Sequence, residues 1–122
     1  MSTRCLIATE QSDGTFSTIY CHFDGYVENG VGEELFKNYK ERSKVEDLIS
    51  QGDRRTLGYE DPGKELYNVA LKKYANLDSL KEQLETKDYI YIFNLSDEWI
   101  VISDVFADGG GKIQSRKLAD MF

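Results

Sequence analysis

The sequence is short of cysteine, proline, histidine and positive charge, and each shortage excludes something. Two cysteines are too few for a secreted disulfide scaffold, so a reduced pair is expected. The 15 Lys and Arg are outnumbered by 22 Asp and Glu, leaving a net charge of −7 that disfavours non-specific binding to nucleic acid. The same charge suits docking on a basic surface, including one that normally holds nucleic acid. Met1 to Leu6 holds no apolar signal-peptide run, and no later stretch approaches the roughly 20 apolar residues of a membrane span. The expectation is a cytoplasmic protein that neither crosses a membrane nor binds nucleic acid directly.

What is present suffices for one core. A chain of 122 residues, 40% hydrophobic, with eight Tyr, six Phe and one Trp, can fill a single domain without metal or disulfide staples. Residues 3–10 and 15–23 flank Ser12-Asp13-Gly14, a strong hairpin signal. Two registers compete: a three-residue loop pairs Cys5 with Cys21, and a two-residue loop pairs Cys5 with His22. A slip of one residue exchanges faces, so the register decides what lies beside the histidine.

Asp24 to Gly32 has the composition of a loop. Val31, Leu35, Phe36 and Tyr39 then recur at helical spacing. Ser43 and Glu46 form a capping box for a second helix burying Val45, Leu48 and Ile49, with Gly52 placed for a left-handed cap. Asp61-Pro62 starts a third helix with an apolar stripe of Leu66, Tyr67, Ala70, Leu71 and Tyr74, and Asp78 caps a fourth, with Leu77 as a staple.

Tyr89 to Phe93 and Trp99 to Ser103 are β-branched and aromatic throughout, a second hairpin. Alternation sorts them into an aliphatic face (Ile90, Ile92, Ile100, Ile102) and an aromatic one (Tyr89, Tyr91, Phe93, Trp99, Val101), best explained as core under the helices. If those rings were exposed, they would instead mark a protein interface. Gly109-Gly110-Gly111 breaks the chain. The reading is one α+β domain over residues 1–108, with an antiparallel sheet from the two hairpins and several helices on one side. Residues 109–122 are a Gly-led C-terminal tail, with room for a short helix around Arg116 to Met121.

The chemistry concentrates in Ile19-Tyr20-Cys21-His22-Phe23-Asp24-Gly25-Tyr26, which holds the single His, one Cys and a carboxylate. Cys21 and His22 point to opposite faces of a regular strand, so they do not make a nucleophile–base dyad. Zinc-like spacing among Cys5, Cys21, His22 and Asp24 is poor. His22 with Asp24 suits proton transfer, or simply a strand end and its turn. A phosphate cradle at Asn29-Gly30-Val31-Gly32 is opposed by Glu33 and Glu34 in the first helical turn. No catalytic residue, metal ligand or cofactor is assigned. The candidate ligand- or partner-binding residues are Tyr20, His22, Asp24, Tyr26 and Glu28.

The same segment, followed by Val31-Gly32 opening a helix through Leu35 and Tyr39, resembles a small phage and prophage protein family with an IYCH(W/F)DGYP…VG signature. Lys44-Val45, Leu48-Ile49, Gly52-Asp53 and Tyr91-Ile92-Phe93 continue the likeness, which is good over about residues 1–57. This chain departs from the pattern at Val27, where the family has Pro, and in a longer Glu28-Asn29-Gly30 connection. The family carries no assigned chemistry; the resemblance implies an accessory protein acting in the cytoplasm of a bacterial host. Three functions follow. The first is non-catalytic binding of a basic host protein, in defence or gene expression, through an acidic surface with aromatic anchors. The second is a small-molecule or nucleotide sponge, taking an anionic ligand in a pocket around Tyr20, His22, Asp24 and Tyr26. The third is a His/Asp hydrolase or nuclease.

Overall fold

The structure, a computed structural model, describes residues 3–53, 57, 72–104 and 112–122. In chain order the elements are β1 (Cys5–Glu10), β2 (Phe16–Cys21), α1 (Val31–Asn38), α2 (Arg42–Ser50), β3 (Lys72–Tyr74), α3 (Leu77–Lys81), β4 (Tyr89–Phe93), β5 (Trp99–Ser103) and β6 (Gln114–Lys117). Short 3-10 turns follow α3 at Glu82–Glu85 and β6 at Leu118–Met121. The strands form one six-stranded sheet in the order β3-β2-β1-β4-β5-β6. This is the α+β fold that the strand and helix signals imply.

The first hairpin adopts the three-residue loop. Gln11 N–H donates to the Thr15 carbonyl at 2.8 Å, and the register sets Cys5 opposite Cys21. Both thiols are free and fully buried. The two hairpins share a sheet, but they meet in parallel, Cys5 beside Tyr89 through Thr9 beside Phe93. The sheet is therefore mostly, not wholly, antiparallel. The burial fits this pairing: β1 and β4 carry unbroken buried runs of five and four residues, as parallel strands covered on both faces do.

Two apolar layers result. On one face Ile7, Ile19, Tyr91, Phe93, Trp99 and Val101 pack with Val31 and Leu35 of α1 and Val45, Leu48 and Ile49 of α2. On the other, Leu6, Ala8, Ile90, Ile92 and Ile102 pack with Leu80 of α3 and Leu84. The aromatic face of the second hairpin is thus core, as alternation suggested. Trp99 Nε1 completes it by donating to the Tyr39 carbonyl at 2.8 Å. The helices, however, do not all lie on one side. α3 covers the aliphatic face because a sheet with two apolar faces needs cover on both.

Further corrections follow from long-range contacts. Residues 114–117, expected within a tail, pair with β5 as an edge strand, and Leu118 is buried in the core. Lys72 to Tyr74, expected in a helix, pair with Phe16 to Thr18 instead; the rest of that helix lies outside the described residues, as does Gly109-Gly110-Gly111. Both edge strands carry Lys or Arg, which discourages pairing with further chains. Helix α2 begins at Arg42, ahead of the Ser43 cap, with no side-chain cap bond. Arg42 reaches Asp97 at 3.0 Å, the Asn94 carbonyl at 2.6 Å and Glu46 at 3.7 Å, so Glu46 serves the arginine rather than a capping box. Asn76, not Asp78, caps α3, accepting from Ser79 N–H at 2.9 Å. Gly52 does take the left-handed conformation after α2, at φ +84°.

Candidate functional site

The segment 22–30 leaves β2 and turns into α1 as a tightly tied loop. Asp24 and Asn29 sit at φ +60° and +59°, the left-handed region that Asp and Asn enter more readily than other non-glycine residues. The loop is held by a set of hydrogen bonds. Gly25 N–H donates to the Thr3 carbonyl at 2.9 Å, Val31 N–H to Asp24 at 2.8 Å, and Gly32 N–H to Tyr26 at 3.2 Å. From the core, the buried Tyr91 hydroxyl donates to the Gly25 carbonyl at 2.7 Å. The loop folds so closely that a Cβ at Gly30 would lie 2.6 Å from the Tyr26 carbonyl oxygen, leaving room only for glycine. Val27 anchors the middle of the loop in the core.

Helix α1 meets this loop with carboxylates. Asn29 N–H donates to Glu33 at 3.2 Å, and Glu33 pairs with Lys37 at 2.7 Å. These contacts, the Lys37 bond first, lower the Glu33 pKa. The helix N-terminus is thus served by carboxylate and by loop carbonyls, in keeping with the expectation that it is no phosphate cradle.

The five candidate residues divide. Tyr20, on β2, hydrogen-bonds His22 Nδ1 through its hydroxyl at 2.5 Å, and Tyr26 donates to Asp24 Oδ1 at 2.8 Å. Among the described residues, His22 and Asp24 thus each bond a tyrosine two residues away rather than one another. Phe23 packs its ring edge-on to His22, with centroids 4.4 Å apart. Outward, Phe23 and Tyr26 are each 40% exposed, and Glu28 is exposed beside them.

Among the described residues, Tyr20 and Asp24 fall on different cavities. Tyr20 borders a cavity of about 240 Å³ on the α3 face, while Asp24 borders another of about 330 Å³ with Gly30, Glu33, Glu34 and Lys37. Sequence reasoning missed the first cavity's other polar residues, Asp53, Lys72, Tyr74, Gln83 and Lys87. They are scattered along the chain and meet only through the β2–β3 pairing, which has no local signature. Phe23 was also missed as a candidate, although its place after His22 on an emerging strand was a signal.

Among the described residues, no group of three or more His, Cys, Asp or Glu is placed to hold a metal ion, and no helix is long and apolar enough to cross a membrane. Comparisons with protein-family models, curated proteins and solved structures find no match.

Proposed function

We propose that this protein is a non-catalytic binding protein that docks its β2–α1 loop on a basic protein surface. The observation that carries this reading is the exposed pair Phe23 and Tyr26 on a loop fixed by its own backbone and by Tyr91. Aromatic side chains held in place supply contact area at little entropic cost, and such residues dominate interface energetics. Asp24, Glu28, Glu33 and Glu34, in the same loop and the first turn of α1, add negative charge suited to steering encounter with a positive surface. With the resemblance to phage proteins, this suits an accessory protein that binds and modulates a host defence or gene-expression protein in the bacterial cytoplasm.

The experiment is capture from bacterial lysate on immobilised protein, repeated across rising salt, beside a Phe23→Ala/Tyr26→Ala double variant. A basic partner should bind saturably at low salt and weaken as salt screens the charges. The double variant should lose at least about 2 kcal/mol, roughly thirtyfold in Kd. Absence of a saturable partner at low salt, or a partner held equally by the double variant, overturns the reading.

A further inference from the structure

On the sheet face opposite α1 and α2, the 240 Å³ cavity gathers hydrogen-bond donors. It lies between β2, the edge strand β3 and the segment joining α3 to β4. Its polar lining comes from Thr18, Asp53, Lys72, Tyr74, Gln83 and Lys87, with Lys72 solvent-exposed and Lys87 half-buried. Neither lysine forms an ion pair among the described residues, and the Tyr74 hydroxyl and Gln83 amide have no hydrogen-bond partner among them. The cavity's carboxylate, Asp53, already accepts from Tyr20 N–H at 2.9 Å through Oδ1. Lys87 Nζ bonds the Thr86 hydroxyl at 2.8 Å and lies 5.1 Å over the Tyr20 ring.

The lining is electropositive around Lys87. Burial lowers the Lys87 pKa, and the nearby charges of Arg4 and Lys72 lower it further, against a smaller opposing effect of Asp53. A chain with a net charge of −7 has carboxylates enough to neutralise its lysines, yet here it places two ammonium groups around one cavity with a single acid. A bound anion would satisfy the donors and relieve the like-charge repulsion together. The repulsive field of the whole molecule is screened beyond about 8 Å at physiological salt, so the lysines govern the cavity itself.

We infer that the Lys72–Lys87 cavity is a binding site for a small phosphomonoester. The size excludes large ligands: the cavity is smaller than the roughly 300–1,000 Å³ typical of drug-sized sites. Lysine is a common point-charge partner for phosphate, and Tyr74 and Gln83 supply neutral donors for its remaining oxygens. The site is separate from the docking loop, on another face of the sheet, so either can fail without the other.

The test is a proton–nitrogen NMR titration of the full chain with glycerol 3-phosphate, inorganic phosphate and glycerol. Glycerol 3-phosphate at millimolar concentration should give saturable shifts at the amides of Thr18, Tyr20, Asp53, Lys72 and Lys87, and glycerol should give none. An equal response to inorganic phosphate would support the site and assign recognition to the phosphate group. Lys72→Gln/Lys87→Gln, with its fold checked by the dispersion of the same spectrum, should bind at least about tenfold more weakly. The inference is overturned by no saturable shifts in the unaltered protein, by shifts spread over unrelated lysines such as Lys112 and Lys117, or by a double variant that binds as well.

Discussion

Removing one oxygen atom from the core should loosen the candidate site, and Tyr91→Phe does this with little other disturbance. Tyr91 is fully buried in the centre of β4, and its ring packs in the larger apolar cluster. Phenylalanine keeps that ring, so no cavity larger than the lost hydroxyl is opened. What disappears is the 2.7 Å hydrogen bond to the Gly25 carbonyl. Gly25 is itself buried, so water cannot readily replace the lost donor. Leaving a buried acceptor unsatisfied costs about 1–3 kcal/mol; a middle value of about 2 kcal/mol is expected here. With a urea m-value of about 2 kcal/mol/M for a domain of this size, the unfolding midpoint should fall by roughly 1 M at unchanged m. The amides of Gly25, Val31 and Gly32 should also exchange faster with solvent, because the hydroxyl ties the loop to the sheet. Tyr74→Phe is the control, since its hydroxyl has no partner among the described residues; its effect should stay within about 0.5 kcal/mol. A Tyr91→Phe midpoint no lower than that of Tyr74→Phe would refute the assignment of this bond as the tether.

Two further outcomes concern the buried titratable groups. Burial, followed by the neighbouring Cys21, raises the Cys5 pKa well above 9.0, and burial, followed by Cys5, raises that of Tyr91 well above 10.0. Each keeps its proton in the folded protein at a pH where the unfolded chain has released it. Their contribution is therefore fully present below about pH 9 and is lost as pH rises further, so urea midpoints should fall between pH 9 and 10.5; constant midpoints there would contradict the burial. The two thiols, fully buried and free, should not react with a disulfide reagent in the native protein at pH 7.5, and both should react once it is unfolded in urea. Prompt native labelling of either would show that β1 and β2 are not packed as described.

The legible part of this fold was the part governed by alternation and local turns. Asp13-Gly14 marked the first hairpin, and the loop that forms puts Cys5 opposite Cys21, one of the two registers the sequence allowed. The split between Ile90, Ile92 and Ile102 and Tyr91, Phe93 and Trp99 reappears as the two core clusters. What stayed hidden depends on partners distant in sequence. Lys72-Lys73-Tyr74 has no strand signature of its own and becomes a strand because β2 offers an edge. Glu46 had the spacing of a capping box, but Arg42, held by Asp97 and Asn94, takes it instead. At the candidate site the sequence suggested His22 with Asp24, whereas the structure bonds Tyr20 to His22 and Tyr26 to Asp24. That Tyr20 and Asp24 border different cavities was hidden, because it depends on how the chain turns at Asp24.

The position of that turn explains why a small domain keeps strained residues in it. The loop is fastened to Thr3, at the entry to β1, and to Tyr91, in the middle of β4. These are the two central strands, paired in parallel and covered on both faces, the last part of the sheet to open in a local fluctuation. Positive φ at Asp24 and Asn29 costs about 1–3 kcal/mol each, which a loop secured only to an edge strand would relax by rearranging. Fastened to the centre, it retains a shape that solution entropy would otherwise erase. On the proposed docking role, a partner would meet Phe23 and Tyr26 already ordered and lose less freedom on binding. The backbone conformation of the loop and the exposure of its rings thus belong to one arrangement: the core holds the loop that presents Phe23 and Tyr26.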